Sequence, residues 1–206
     1  MTTTPDAGRI LEIATGYMAA KQLFESSRIG LFAALADGSQ DAAGIAAATG
    51  VSERMARILA DAMAAKGLLV RSAGTYALAP DAVAYLTGTA AELDLAPFLT
   101  FLSEISYPHW LQFGHTVDTT EPGDLQMDDE RWATFMAGVM TYNLLHGQEF
   151  GRLVDLAGAT NALDFGGLSA AFAIGAMRAN PGLRTTFLYA PGFEDGIADA
   201  IAEAGL

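Results

Sequence analysis

The sequence predicts a mostly helical protein with a winged-helix N-terminal part, a helical middle layer and a partial α/β segment. Three observations carry this. Apolar residues at helical spacing dominate the first 35 positions; a helix–turn–helix followed by a glycine hairpin occupies 41–78; and strand, glycine pair, helix, strand and helix succeed one another from 162 to 204. A chain of 206 residues, 51% hydrophobic, can bury a sizeable core and is not of disordered composition.

Ile10, Ile13, Tyr17, Leu23, Phe24, Leu31, Phe32 and Leu35 predict helices over 6–23 and 24–36, with Asp37-Gly38 as the stop. The first is apolar on more than one face, which suits burial against a partner subunit. A short helix over 41–48 turns at Thr49-Gly50-Val51 into a second over 52–66, where Ser52 is the N-cap and Gly67 the C-terminal stop. Leu68-Leu69-Val70 and Tyr76-Ala77-Leu78 flank Ser72-Ala73-Gly74 as a hairpin, and another helical stretch begins at Asp81. Residues 87–160 read as helical with loops. An acidic connector spans 119–129, and a helix over 129–151 carries Trp132, Phe135, Met136, Val139, Met140, Leu144 and Leu145. Ala162 to Phe165 is a strand, Gly166-Gly167 a turn, 168–178 a helix, 185–189 a second strand and 194–204 a second helix, the opening of a doubly wound sheet.

Charge and composition exclude several functions. The formal charge is −13, and it is uneven: residues 1–90 hold 7 basic and 8 acidic side chains, residues 91–206 hold 4 and 16. An acidic surface repels phosphate, and the second helix of the pair is mostly apolar (Met55, Ile58, Leu59, Met63), so nucleic acid is not the expected partner. With no cysteine there is no disulfide, thiolate ligand or cysteine nucleophile. No H-E-x-x-H spacing or Walker lysine occurs, so no metal is expected. Neither a leader nor an apolar run of membrane-spanning length is visible, and the expected location is the cytoplasm.

In order, ATGYMAAKQLFESSRIGLFAAL, GIAAATGVSERMARILADAMAAKGLLV, TYALAPDAVAYL, RWATFMAGV and LDFGGLSAAFAIGAMRANPGLRTTFLYAPGF resemble the small-molecule O-methyltransferases of bacterial polyketide and plant phenylpropanoid metabolism. The resemblance implies a dimerisation domain over 1–90, a helical linker and substrate-pocket layer over 91–160, and a partial Rossmann-like domain for S-adenosylmethionine (SAM) over 161–206. It implies a homodimer through the N-terminal helices and an aromatic small-molecule substrate.

Asp164, Gly166 and Gly167 match the family's D-x-G-G-G-x-G cofactor loop, where bare backbone approaches SAM. Leu168 and Ala170 stand at glycine positions, and Tyr189 stands where an acidic residue accepts bonds from the ribose. Losing a hydrogen bond to a charged group costs about 1.5–3 kcal/mol. The expectation is a SAM site weakened or lost. The residues after the second strand and its helix end at Leu206, so a second polypeptide is expected to complete the sheet, unless the end forms a small cap. A further expectation is a non-catalytic chain that pairs with an intact relative. The aromatic pocket is expected from Phe101, Trp110, Trp132, Phe135, Met136 and Met140. His146 is the first acid/base candidate, with Asn143 at i−3, and His109 the second.

Overall fold

A computed structural model describes residues 6–88 and 93–206. The expected boundary at 90/91 falls outside the described residues. The chain divides into two compact units, Met1–Arg131 and Trp132–Leu206, each taken by itself below. The layer expected over 91–160 is thus shared between them.

In the first unit, α1 (Gly8–Arg28) is one uninterrupted helix, not two meeting at residue 23, because nothing at 23–24 breaks it. The break comes at Gly30, whose φ of +76° suits glycine and ends the run before the four-residue α2 (Leu31–Ala34). The N-terminal half of α1 exposes Ile10, Leu11 and Ile13 at 60–75%. Its C-terminal half is anchored: Lys21 lies 3.5 Å from Glu25 and 5.4 Å from the centre of the Tyr107 ring.

Strand β1 (Gln40–Asp41), which the sequence pattern does not signal, pairs antiparallel with residues 75–76 and precedes α3 (Ala42–Thr49). Asp41 caps α3 by accepting from Gly44 N–H at 2.8 Å, and Ser52 caps α4 (Glu53–Ala65) through Met55 N–H at 3.3 Å. Strands β2 (Leu69–Ser72) and β3 (Thr75–Leu78) form the hairpin, completing a three-stranded sheet in the order β1-β3-β2. Ala73 and Gly74 both take positive φ, +47° and +86°, as the two-residue turn of a twisted hairpin requires. Leu31, Phe32, Leu35, Ile45, Met63 and Tyr76 fill the core between these elements. The Tyr76 hydroxyl donates to Asp61 Oδ1 at 2.7 Å, and burial followed by that bond raises its pKa. Helix α5 (Pro80–Tyr85) follows.

Beyond the undescribed residues, α6 (Ala96–Phe101), a π-helical turn (Leu102–Ser106) and α7 (Tyr107–Trp110) run on as one helix. The wide turn has a cause. Pro108 has no N–H to give the Glu104 carbonyl four residues back, and its ring would crowd that oxygen. Arg131 Nη1 donates to this carbonyl at 3.1 Å, and Arg131 Nε donates to Leu125 O at 3.1 Å. One guanidinium thereby ties the connector to the wide turn. After α8 (Phe113–Thr119), residues 120–128 form that connector, shorter by one residue at each end than expected because Thr119 closes α8 and Asp129 opens the next helix.

Helix α9 (Asp129–Leu153) is capped by Asp128, which accepts from Arg131 N–H at 2.8 Å, and runs into the second unit. There it crosses α10 (Ala171–Ala179) at a glycine contact. A Cβ on Gly147 would lie 2.3 Å from Ala171 O, and one on Gly175 would lie 1.9 Å from Gly147 O. The two backbones touch because neither carries a side chain. Strands β4 (Asn161–Phe165) and β5 (Arg184–Leu188) pair in parallel, Asp164 opposite Phe187, with α10 as the crossover of a Rossmann-like βαβ unit. Asn180 closes the α10–β5 turn: Nδ2 donates to Leu156 O and Ala159 O at 3.0 and 2.8 Å, and Oδ1 accepts from Gly182 N–H. Helix α10 starts at 171, three residues later than the pattern predicts, because residues 166–170 are needed for the loop. Helix α11 (Glu194–Glu203) comes last. The sheet face bearing Leu163, Phe165 and Leu188 is exposed.

Candidate functional site

The site grows from the carboxyl ends of β4 and β5. Alternation along the strands puts Asp164 on the face toward α10, and register puts Tyr189 on that same face, two residues beyond Asp164's partner Phe187. Gly166 leaves β4 at φ +67°, with its N–H donating to Leu188 O at 3.0 Å. Tyr189 then turns inward. Its hydroxyl lies 2.8 Å from both Asp164 Oδ1 and Ser169 O, one proton between two acceptors. The same hydroxyl lies 2.7 Å from where a Cβ on Gly167 would be. Phe187 and Phe193 meet its ring edge-on, with centroids 6.1 and 6.3 Å away.

Burial, and then the bond to and charge of Asp164, push the Tyr189 pKa well above its ordinary value, so the phenol stays protonated. Asp164 Oδ2 is buried with no partner. Asn143 Nδ2 of α9 donates to Ser169 Oγ at 3.3 Å. Asp164, Gly166, Gly167, Ser169, Tyr189 and Asn143 are therefore one cluster.

The other expected residues are spread out. His146 lies one turn along α9 from Tyr142, with Nδ1 2.9 Å from Tyr142 O and the two rings 3.9 Å apart. In the tautomer whose Nδ1–H donates to that carbonyl, Nε2 is an acceptor. Trp132 and Phe135 stack on α9 with centroids 5.4 Å apart. Met140 lines a cavity of about 280 Å³ with Leu144, Ser169, Ile174, Arg178 and Glu203. Phe101 ends α6 in the first unit, where His109 and Trp110 border a cavity of about 210 Å³. Sequence reasoning singled out Tyr189 as a missing acid but did not foresee that its ring would enter the loop, nor that Ser169 would join it. The signal lies in the strand register, which the sequence does not state. Among the described residues no group of three or more His, Asp or Glu side chains could hold a metal ion, and no helix is long and apolar enough to cross a membrane.

A helix-rich first unit with a small antiparallel sheet, followed by a βαβ unit with a glycine turn, defines the class: residues 11–88 match the O-methyltransferase dimerisation domain. Likeness extends over nearly the whole chain. It is 30% identical over 205 residues to a 3-hydroxy-5-methyl-1-naphthoate 3-O-methyltransferase of Streptomyces sahachiroi, covering 96% of this chain and 59% of that protein. It is 31% identical over 210 residues to acetylserotonin O-methyltransferase of Mus musculus, covering 90% and 53%. In fold it is similar to CalO1, a methyltransferase in calicheamicin biosynthesis (TM-score 0.76, 22% identity, 90% of this chain and 59% of that one). It is similar also to human N-acetylserotonin methyltransferase (TM-score 0.71, 23% identity, 91% and 60%). Residues 11–88 are thus an O-methyltransferase dimerisation domain, and the chain as a whole is similar to small-molecule O-methyltransferases, spanning just over half the length of these curated relatives.

Proposed function

We propose that this chain is a methyltransferase-like protein of specialised, polyketide-type metabolism that binds an aromatic small molecule and acts without SAM methyl transfer. The observation that carries this reading is Tyr189. Its hydroxyl fills the space beside Gly167 that bare glycine would otherwise leave to a ligand, and it occupies Asp164 Oδ1. No carboxylate stands at the end of β5 to accept the ribose hydroxyls, and a protonated phenol is a poor substitute. These residues do not fit SAM.

Aromatic-substrate contacts are assigned to Trp132, Phe135, Met136 and Met140 in the second unit, with His146 Nε2 as acid/base group and Asn143 beside it, and to Phe101 and Trp110 in the first unit, where His109 is the second acid/base candidate. The assembly is a homodimer in the cytoplasm, formed through α1, whose exposed Ile10, Leu11 and Ile13 support pairing. The pairing domain is 1–90, the substrate layer 91–160 and the former cofactor segment 161–206. Equilibrium dialysis against labelled SAM and a hydroxynaphthoate tests the reading: the naphthoate is retained and SAM is not. Retention of SAM with transfer of its methyl group would overturn it.

The exposed apolar face of Leu163, Phe165 and Leu188 favours a second reading, in which a separate polypeptide covers the sheet and the complex is a SAM-dependent O-methyltransferase. A stoichiometric partner that co-purifies with the chain and restores SAM retention would establish it.

A further inference from the structure

We propose that the cavity bordered by His109, Trp110, Phe113, Thr116, Pro122 and Gly123 is a binding site for a monocyclic aromatic amine. It goes beyond the reading above, because all of its walls come from residues 109–123 and it needs neither the glycine loop nor the loss of SAM. His109 and Trp110 are common to both proposals.

The site is built rather than incidental. The connector is held against α7 and α8 by the Gln112 amide, which donates from Nε2 to Asp124 O at 2.8 Å and accepts from Asp124 N–H at 2.9 Å. At Gly123 the approach is tight: a Cβ would stand 3.0 Å from His109 Cε1 and 3.1 Å from Gln112 Oε1. His109 Nδ1 is buried without a partner, which costs free energy and returns none to the fold. The Thr116 hydroxyl also has no side-chain partner among the described residues and is free to meet a ligand.

Size and chemistry select the ligand. A volume of about 210 Å³ takes one substituted ring, since an apolar cavity of about 150 Å³ accepts benzene. Trp110 and Phe113, with centroids 5.2 Å apart at 58°, offer an aromatic face and edge, and Pro122 lies on the connector side. The lining residues Pro122 and Gly123 are flanked in sequence by Glu121 and Asp124, within a segment from Asp118 to Glu130 that carries six acidic and no basic side chains. His115 Nε2 lies 3.7 Å from Glu121, and the Arg131 guanidinium is engaged with backbone carbonyls. An anionic ring is repelled there. A protonated side-chain amine is attracted by the carboxylates and by the face of Trp110.

The chain has two tryptophans, so Trp132→Phe leaves Trp110 as a single fluorescent reporter. Titration with tyramine is expected to give a saturable change. The uncharged p-cresol should bind several-fold more weakly and 4-hydroxyphenylacetate at least about tenfold more weakly, with the tyramine preference shrinking as salt is raised. Phe113→Ala, at a half-exposed position whose loss leaves the core intact, should abolish saturation, and Gly123→Val should do so by displacing the connector. A linear, non-saturating quench, an unchanged response in Phe113→Ala, or binding of p-cresol or the anion as tight as tyramine would overturn the proposal. SAM retention measured on the same protein reports separately on the reading above.

Discussion

Gly175→Ala should destabilise the second unit far more than a glycine-to-alanine change in a helix ordinarily does. The added Cβ would stand 1.9 Å from Gly147 O and 2.7 Å from its carbonyl carbon, against an ordinary contact beginning near 3.4 Å. The opposing atoms are backbone, so no side chain can swing away. A Cβ on Gly147 or on Gly151 would likewise stand 2.3 Å from Ala171 O or Gly175 O in the same crossing. The helices must separate, uncovering buried Ala171, Ile174 and Ala176. Overpacking of this kind costs about 1–3 kcal/mol. The collision is with backbone on several contacts, so we take the upper end and subtract the ~1 kcal/mol that alanine gains over glycine in a helix. About 2 kcal/mol remains, a fall in Tm of roughly 4–8 °C for a chain of this size. Gly196→Ala in α11 is the control: nothing lies within 4 Å of its Cβ, and the change should be neutral or stabilising by up to ~1 kcal/mol. Urea or thermal unfolding followed at 222 nm reads both. Equal stability of the two variants would refute the close crossing of α9 and α10.

Other outcomes follow from the same geometry. Ala73→Asn should stabilise the β2–β3 hairpin by about 0.5–1 kcal/mol, because Ala73 holds φ +47° in a turn position where asparagine is at ease; a midpoint lower than wild type would contradict the turn. Tyr76→Phe should cost about 1 kcal/mol through loss of its 2.7 Å bond to the half-exposed Asp61, and a neutral result would mean that water replaces the bond. Tyr76 and Tyr189 both have folded pKa values raised above the ordinary 10.0. A raised tyrosine pKa contributes stability that is complete below pH 10 and lost as pH climbs toward the folded value. Of the six tyrosines, these two should ionise last in absorbance at 295 nm, with unfolding; early ionisation of all six at once would deny their burial.

The elements that declare themselves in sequence do so through local chemistry. Ser52 and Gly67 bracket α4, Ala73-Gly74 turns the hairpin, and the glycine pair after Asp164 marks the loop. Where prediction fails, a nonlocal cause is present. Strand β1 is two residues long and exists only because β3 lies beside it. The wide turn at 102–106 answers a proline that follows it, with its carbonyl capped by Arg131 from 27 positions away. Helix α1 ends at a glycine that is otherwise like Gly16, which the same helix passes through. At the site, Asp164, Gly166, Gly167 and Tyr189 are visible as deviations or matches in a motif. That Tyr189 reaches Gly167 depends on the parallel register of β4 and β5, which no local pattern encodes. His146 and Asn143 share a helix face in sequence, yet the Asn143 amide is engaged by Ser169 across the fold.

Calorimetry with SAM on two forms of the chain tests the closing of the glycine loop by Tyr189. A closed loop gives no measurable heat for the unaltered chain at millimolar SAM and clear binding once Tyr189→Asp vacates the loop and supplies a ribose acceptor. Micromolar SAM binding by the unaltered chain, left unchanged by Tyr189→Asp, would contradict it.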